Sequence, residues 1–205
     1  MNASPPPVDW VLASGNEGKR AEFERLLGAT GWRLQTQSAL GISPADETAV
    51  TFVENALAKA RHAAAASGLP ALADDSGLVV PALGGAPGVR SARYAGTGAD
   101  DEANVARLLA ELERRPGDAR TAYFVCVLVA LRAADDPDPL VARGTWHGRI
   151  ATAPRGRGGF GYDPVFVPAD DARTAAELAP HEKAAASHRG EAVRALLAAL
   201  AVPAR

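Results

Sequence analysis

The sequence predicts an α/β fold: a mixed twisted sheet flanked by helices and carrying a cleft. Three observations predict it. Short apolar runs alternate along the chain with segments whose apolar residues recur at helical spacing. Two of the runs, 121–133 and 139–151, are joined by the turn-rich ADDPDP, which reads as an antiparallel pair inside an otherwise alternating order. Of the 205 residues, 47% are hydrophobic and 22% charged, an ordinary globular balance with chain enough for one sizeable domain.

The elements follow in order. MNASPPP (1–7) reads as a short Pro-rich disordered tail, leaving 8–205 as a single domain. It lacks the basic-then-apolar pattern of a secretory signal. VDWVLAS (8–14) is an apolar run ending in small residues, a first strand. In EGKRAEFERLLG (17–28), Phe23, Leu26 and Leu27 sit at helical spacing and Gly28 stops the helix. TFVENALAKARHAAAASGLP (51–70) is the best-punctuated helix: Thr51 and Glu54 form a capping-box pattern, and Gly68 and Pro70 close it. ALADDSGLVV reads as strand, turn, strand. Residues 99–115 are amphipathic through Val105, Leu108, Leu109 and Leu112. After the paired strands, PRGRGGFGYDPVFVP is a Gly-rich loop entering a strand, and 187–201 closes the chain as a helix.

Bulk properties narrow the function. A net charge of −2 gives no global field for nucleic acid, so an anion needs a local cluster of donors. The one cysteine, Cys126, lies in YFVCVLVAL and reads as a core residue, which excludes a disulfide scaffold within the chain. No apolar run approaches the roughly 20 residues that cross a bilayer, and a cytoplasmic location is expected. Nineteen of the 22 cations are Arg; the three lysines are Lys19, Lys59 and Lys183. In so Arg-biased a chain, a retained Lys marks a place where a compact ammonium suits and a planar guanidinium does not.

Five stretches carry residue types fit for chemistry. In LASGNEGKR, Ser14, Gly15, Asn16, Glu17, Gly18 and Lys19 join a strand end to a helix start, where N–H groups and the helix dipole favour an anion. The spacing is shorter than that of a P-loop, and a plain tight turn is the alternative. Asn55, Lys59 and His62 share a helix face, which also reads as a solvated stripe. Glu47 precedes that helix and Asp74-Asp75-Ser76-Gly77 follows it. A Glu and an Asp from separate loops can hold Mg²⁺, which takes carboxylates, waters and phosphate oxygens; a solvated turn is the other reading. Phe160, Gly161, Tyr162 and Asp163 place aromatics among glycines, either a platform for a planar ring or a turn feeding the core. Lys183, His188 and Arg189 are donors near the start of the last helix, where cations oppose the dipole unless an electron-rich group lies near.

These motifs together resemble the inosine/xanthosine triphosphate pyrophosphatases. The resemblance runs from Trp10 to Leu200 through SGNEGKRAEFERLL, ETAVTFVENALAKA, ADDSGLVVPALGGAPGVRSARYAG, GGFGYDPVF and TAAELAPHEKAAASHRG, in the family's order. Ser14 stands where Thr is usual, and alanines follow Lys183 where Asn and a larger aliphatic residue are common. The resemblance implies an elongated mixed sheet in two lobes with a central cleft, a homodimer, and hydrolysis of a purine nucleoside triphosphate to monophosphate and pyrophosphate. By motif, residues 14–19 would hold the phosphates with Lys59 assisting. Glu47 and Asp75 would ligate Mg²⁺, with Asp75 also accepting a proton and Asp74 supporting them. Ser76 would touch substrate, residues 160–163 would form the base platform, and Lys183, His188 and Arg189 would read the purine. Two rivals stand beside this reading: a Maf-like pyrophosphatase of the septum-inhibitor type acting on modified pyrimidine nucleotides, and a non-catalytic nucleotide sensor. No nucleic-acid or membrane partner is expected.

Overall fold

Strand β1 (Asp9–Leu12) starts the chain's order with Trp10, Val11 and Leu12 buried. The computed structural model describes residues 8–28, 30–115 and 120–201, so the tail expected over 1–7 lies outside the described residues. β1 pairs in parallel with β2 (Arg33–Thr36) and with β3 (Ala71–Val79), in the registers Leu12↔Thr36 and Leu12↔Leu72. β2 was not evident in the sequence, because RLQT is polar and partly exposed, as suits an edge strand. Its hold is local: Trp10 stacks on Trp32 at 4.2 Å, and Arg33 donates to both oxygens of Asp9 at 2.8 and 3.0 Å.

Helix α1 (Glu17–Leu27) buries Phe23 and Leu27. Helix α2 (Phe52–Ser67) buries Ala56, Ala60, Ala63 and Ala64, a methyl-sized stripe that lets the helix lie close against β1. Thr51 caps α2 by accepting from the Glu54 N–H at 3.3 Å, and its hydroxyl donates back to the Glu54 carboxylate. Gly68 closes the helix at φ 69°, a left-handed conformation that favours glycine.

β3 corrects the expected strand–turn–strand. It runs unbroken through Asp-Asp-Ser-Gly, with Asp74 and Asp75 both buried. The turn chemistry of that tetrapeptide yields to a ladder with neighbours on both sides and to side-chain partners for both acids.

Downstream come α3 (Asp101–Glu113), β4 (Thr121–Leu131), β5 (Leu140–Ile150), β6 (Phe166–Pro168), α4 (Pro180–Ala186) and α5 (His188–Leu200). The six strands form one open sheet in the order β2-β1-β3-β4-β5-β6. The sheet is mixed: β1 is parallel to its neighbours, and β5 is antiparallel to β6. β5 follows β4 as expected. Ile150 N–H donates to Arg120 C=O and Tyr123 lies on His147, so numbers rise on one strand as they fall on the other. Asp136 organises the linking turn, accepting from the N–H groups of Arg132 and Asp138. Among the described residues no helix is long and apolar enough to cross a membrane.

The chain divides into two compact units. One holds the chain up to Asp75, Val127–Ala142 and the chain from Ala192; the other holds Ser76–Cys126 and Arg143–Glu191. The second unit's core gathers Leu78, Val105, Leu108, Phe124, Trp146 and Phe166 among others. Gly148 on β5 is dictated by close approach, since a Cβ there would overlap the Val167 carbonyl and the Phe166 ring.

The end of the chain holds a short helix that the sequence did not announce. Lys183 precedes the last helix as expected, but within the last turn of α4, where a cation suits the dipole. Ser187 divides the helices: its backbone is extended, and its Oγ accepts from the Gly190 N–H at 3.2 Å, capping α5. The start of α4 is fixed by Glu182, which accepts from the Ala179 N–H at 2.8 Å and from Arg173 at 3.0 Å; Arg173 also holds Asp171 at 2.8 Å. The Arg173 guanidinium draws Asp171 down to about 2 and lowers Glu182 as well. Because both carboxyls are lower in the folded state, their contribution is complete above the unfolded carboxylate range of about 4 and fades as pH falls toward 2. Arg173→Leu is therefore expected to lower the Tm at pH 7, with the gap from wild type narrowing as pH falls from 5 to 2 in thermal melts.

Candidate active site

The two adjacent aspartates in an apolar strand are the natural starting point, because buried carboxylates need cationic or hydrogen-bonding partners. Strand alternation sends them to different lysines. Asp74 Oδ2 receives Lys19 Nζ from α1 at 2.8 Å, and Asp75 Oδ1 receives Lys59 Nζ from α2 at 3.4 Å. Lys59 Nζ also lies 2.9 Å from Glu47 Oε1. The carboxylates of Glu47 and Asp75, contributed by a loop and a strand, thus converge on one ammonium. Two of the chain's three lysines sit in this cluster.

The electrostatics follow from burial. Desolvation pushes the Asp75 carboxyl up; Lys59 and Lys19 pull it down, Glu47 pushes up and the Asn55 amide pulls down, with a net rise. For Lys59, burial favours the neutral amine, yet Asp74, Asp75 and Glu47 outweigh it and hold the group above its ordinary value. Lys59 is therefore a firmly charged ammonium beside a carboxylate whose proton affinity is raised.

The loop before α1 is a turn held by its own side chains. Asn16 caps the helix, its Oδ1 accepting from the Lys19 N–H at 2.9 Å, and Ser14 Oγ accepts from the Asn16 N–H at 3.3 Å. A Cβ on Gly15 would meet no atom within 4 Å, so the backbone there is open to approach. Gly18 lies in the first turn of α1. The Glu17 carboxylate is occupied along the helix surface, 2.8 Å from Arg20. His62, on the same helix as Lys59, contacts the Ser43 carbonyl at 2.8 Å through Nε2.

The second unit assembles the remaining residues among themselves. Lys183 Nζ pairs with Asp163 Oδ2, which also accepts from the Phe160 N–H at 2.9 Å. Gly159 makes that fold of the loop possible: its φ is +72°, and a Cβ would collide with the Asp163 carboxylate. The Phe160 ring lies under two cations, Lys183 Nζ at 4.9 Å and the Arg189 guanidinium at 5.7 Å. Arg189 is 1% exposed and donates to Ser76 Oγ at 3.0 Å. His188 is buried and stacked on Phe124 at 4.7 Å and 10°. Tyr162 is placed in the core, its hydroxyl donating to the Ser91 carbonyl at 2.8 Å, so Phe160 is the ring that the loop presents beside the cations. The Gly161 N–H donates to Asp101 Oδ2 at 2.6 Å.

Three contributors escaped the sequence reading. Asn55, seen only as part of a helix stripe, is 1% exposed and donates to Asp75 Oδ2 at 3.1 Å. Its spacing of four residues from Lys59 was the available signal. Asp101 and Phe124, which hold the Gly-rich loop and the His188 ring, lie 60 and 64 residues from their partners and carry no local signature.

Comparison with known proteins gives a consistent picture. The model of the Ham1 family matches residues 10–199. A dITP/XTP pyrophosphatase of Halorhodospira halophila is 57% identical over 191 residues, covering 93% of this chain and 96% of that one. One from Shigella flexneri is 55% identical over 190 residues, again covering 93% and 96%. Among solved structures, a HAM1 protein from Coxiella burnetii superposes with a TM-score of 0.87 at 48% identity, covering 94% of this chain and 98% of that one.

Removing Lys59 leaves Glu47 and Asp75 facing each other without their shared ammonium. Breaking a buried pair by deleting one partner costs about 3 kcal/mol or more. Lys59→Met is expected to lower the Tm in EDTA by roughly 6–12 °C, read by scanning calorimetry.

Proposed function

The chain belongs to the Ham1 family, and from that premise we propose that it hydrolyses deaminated purine nucleoside triphosphates (ITP, dITP, XTP) to the monophosphate and pyrophosphate. The observation that carries the reading is the convergence of Glu47 and Asp75 on Lys59, with Lys19 on Asp74 beside them. The names of the relatives favour this reading over a modified-pyrimidine pyrophosphatase or a non-catalytic sensor.

The donor set suits a hard divalent cation, and Mg²⁺ is the one proposed. Glu47 and Asp75 offer carboxylate oxygens that already share one cationic partner. Two carboxylates suit Mg²⁺, which takes one or two of them and completes its shell with water and substrate phosphates. Bound there, Mg²⁺ would supply charge stabilisation to the phosphate oxygens and lower the pKa of water.

The chain's own residues do the rest. The backbone of Gly15, Glu17 and Gly18 and the Lys19 ammonium bind the phosphates, and Lys59 shares its charge between the acids and the substrate. Asp75, whose proton affinity is raised by burial, accepts the proton of the attacking water. A new oxygen–phosphorus bond forms at the α-phosphorus while the bond to the bridging oxygen breaks, and pyrophosphate departs with the electron pair. The purine is assigned, by motif, to Lys183, His188 and Arg189. Arg189 and His188 donate to a 6-oxo group, whereas the 6-amino group of adenine would meet them donor against donor. A site built on such bonds rejects the wrong group by about four orders of magnitude. Phe160 supplies the face for the base. The reading further includes a homodimer and a cytoplasmic location, where the nucleotide pool lies.

The decisive assay is product identification with a panel of ITP, dITP, XTP, GTP, ATP and methylated pyrimidine triphosphates. Pyrophosphate release from the deaminated purines, abolished by EDTA, is expected; release of orthophosphate, or preference for the pyrimidines, contradicts the reading. Asp75→Asn is expected to lower kcat by about 10²–10⁴-fold with an unchanged near-UV spectrum, and turnover like wild type removes Asp75 from the proton transfer.

A further inference from the structure

Asn55 does more than touch Asp75. It sits on α2 one turn before Lys59, and its amide makes three hydrogen bonds. Oδ1 accepts from the Ala49 N–H at 3.1 Å, while Nδ2 donates to the Ala49 carbonyl at 3.3 Å and to Asp75 Oδ2 at 3.1 Å. The side chain therefore imitates a strand neighbour, clasping both backbone polar groups of one residue, Ala49, in the loop two residues beyond Glu47. Its second amide hydrogen reaches the other acid.

The division of labour on α2 is complete. Asn55 and Lys59 each take a different oxygen of Asp75. Asn55 holds the backbone that carries Glu47, and Lys59 holds the Glu47 carboxylate itself. An Asp at 55 would reproduce the shape but oppose a third carboxylate to the pair. A longer Gln could not keep both the clasp on Ala49 and the reach to Asp75. Only an amide of this length serves the three bonds.

We propose that Asn55 is the positioning residue that sets the spacing between the Glu47 and Asp75 carboxylates, so that a divalent cation is held between a loop and a strand. This rests on the proposed reaction, since it assigns those two acids to metal binding. A residue that only supported the fold would change the melting temperature and leave the affinity of the folded protein for metal unaltered.

The test uses Mn²⁺ as probe with the full-length, substrate-free protein, its binding followed by electron paramagnetic resonance. Asn55→Leu and Asn55→Ser are compared with wild type, Ser keeping a small polar side chain but losing the clasp on Ala49. The proposal expects at least a tenfold loss of Mn²⁺ affinity in both variants. It further expects a lower kcat for dITP and a nucleotide KM within about threefold of wild type. Should Asn55→Leu fail to fold, Asn55→Ser and Ala49→Pro, which removes the N–H that Asn55 accepts, carry the same expectation. Affinity within twofold of wild type in the folded variants overturns the proposal while the proposed reaction stands. Absence of Mn²⁺ binding by wild type itself, with no pyrophosphate released from dITP, overturns both.

Discussion

The structure depends on an exchange of charge in a place with little water. Three carboxylates, from Glu47, Asp74 and Asp75, are held against two ammonium groups, from Lys19 and Lys59, with Asp74 and Asp75 buried in the strand β3. Neither half of this set is tolerable alone: acids without lysines would carry an uncompensated buried charge, and so would lysines without acids. Each element that reaches the cluster is therefore fixed by a companion it also fixes. α1 is seated by Phe23 and Leu27 and delivers Lys19; α2 is seated by its alanine stripe and delivers Asn55 and Lys59; β3 lies between β1 and β4 in the sheet and delivers the aspartates.

The same charges suit a triphosphate and a metal ion. A resting site whose anions and cations already pair with one another can exchange partners with a ligand that brings both signs. In the proposed reaction phosphates would call on the lysines and a divalent ion on the acids. In that reaction the raised proton affinity of Asp75 would serve the proposed proton transfer, because a carboxylate with its ordinary value would hold a proton from water less well. In the second unit the logic is repeated with aromatic faces. Lys183 leans on Asp163 and Phe160, Arg189 on Ser76 and Phe160, and His188 on Phe124.

Much of this was legible in the sequence, and the exceptions have causes. α1, α2, α3 and α5 announced themselves through periodicity and caps, because those signals are local. β2 did not, since a four-residue polar edge strand has no period to read. Asp-Ser-Gly read as a break, yet a strand with sheet neighbours and paired acids overrides turn chemistry. At the site, the two lysines were betrayed by rarity and the acids by their apolar setting. Asn55 stayed ambiguous because its value lies in Ala49 and Asp75, six and twenty residues away. Tyr162 stayed ambiguous because its hydroxyl partner is 71 residues away.

The small number of lysines makes the central interaction directly observable. With ¹⁵N-lysine labelling the chain yields three Nζ resonances, and Lys19→Arg and Lys59→Arg assign two of them. The account predicts that the Lys19 and Lys59 ammonium protons exchange slowly with water at pH 7 in the free protein. It also predicts that both resonances shift when a non-hydrolysable dITP analogue and Mg²⁺ are added together. Rapid exchange like that of a surface lysine, with no shift on adding the nucleotide, would contradict it.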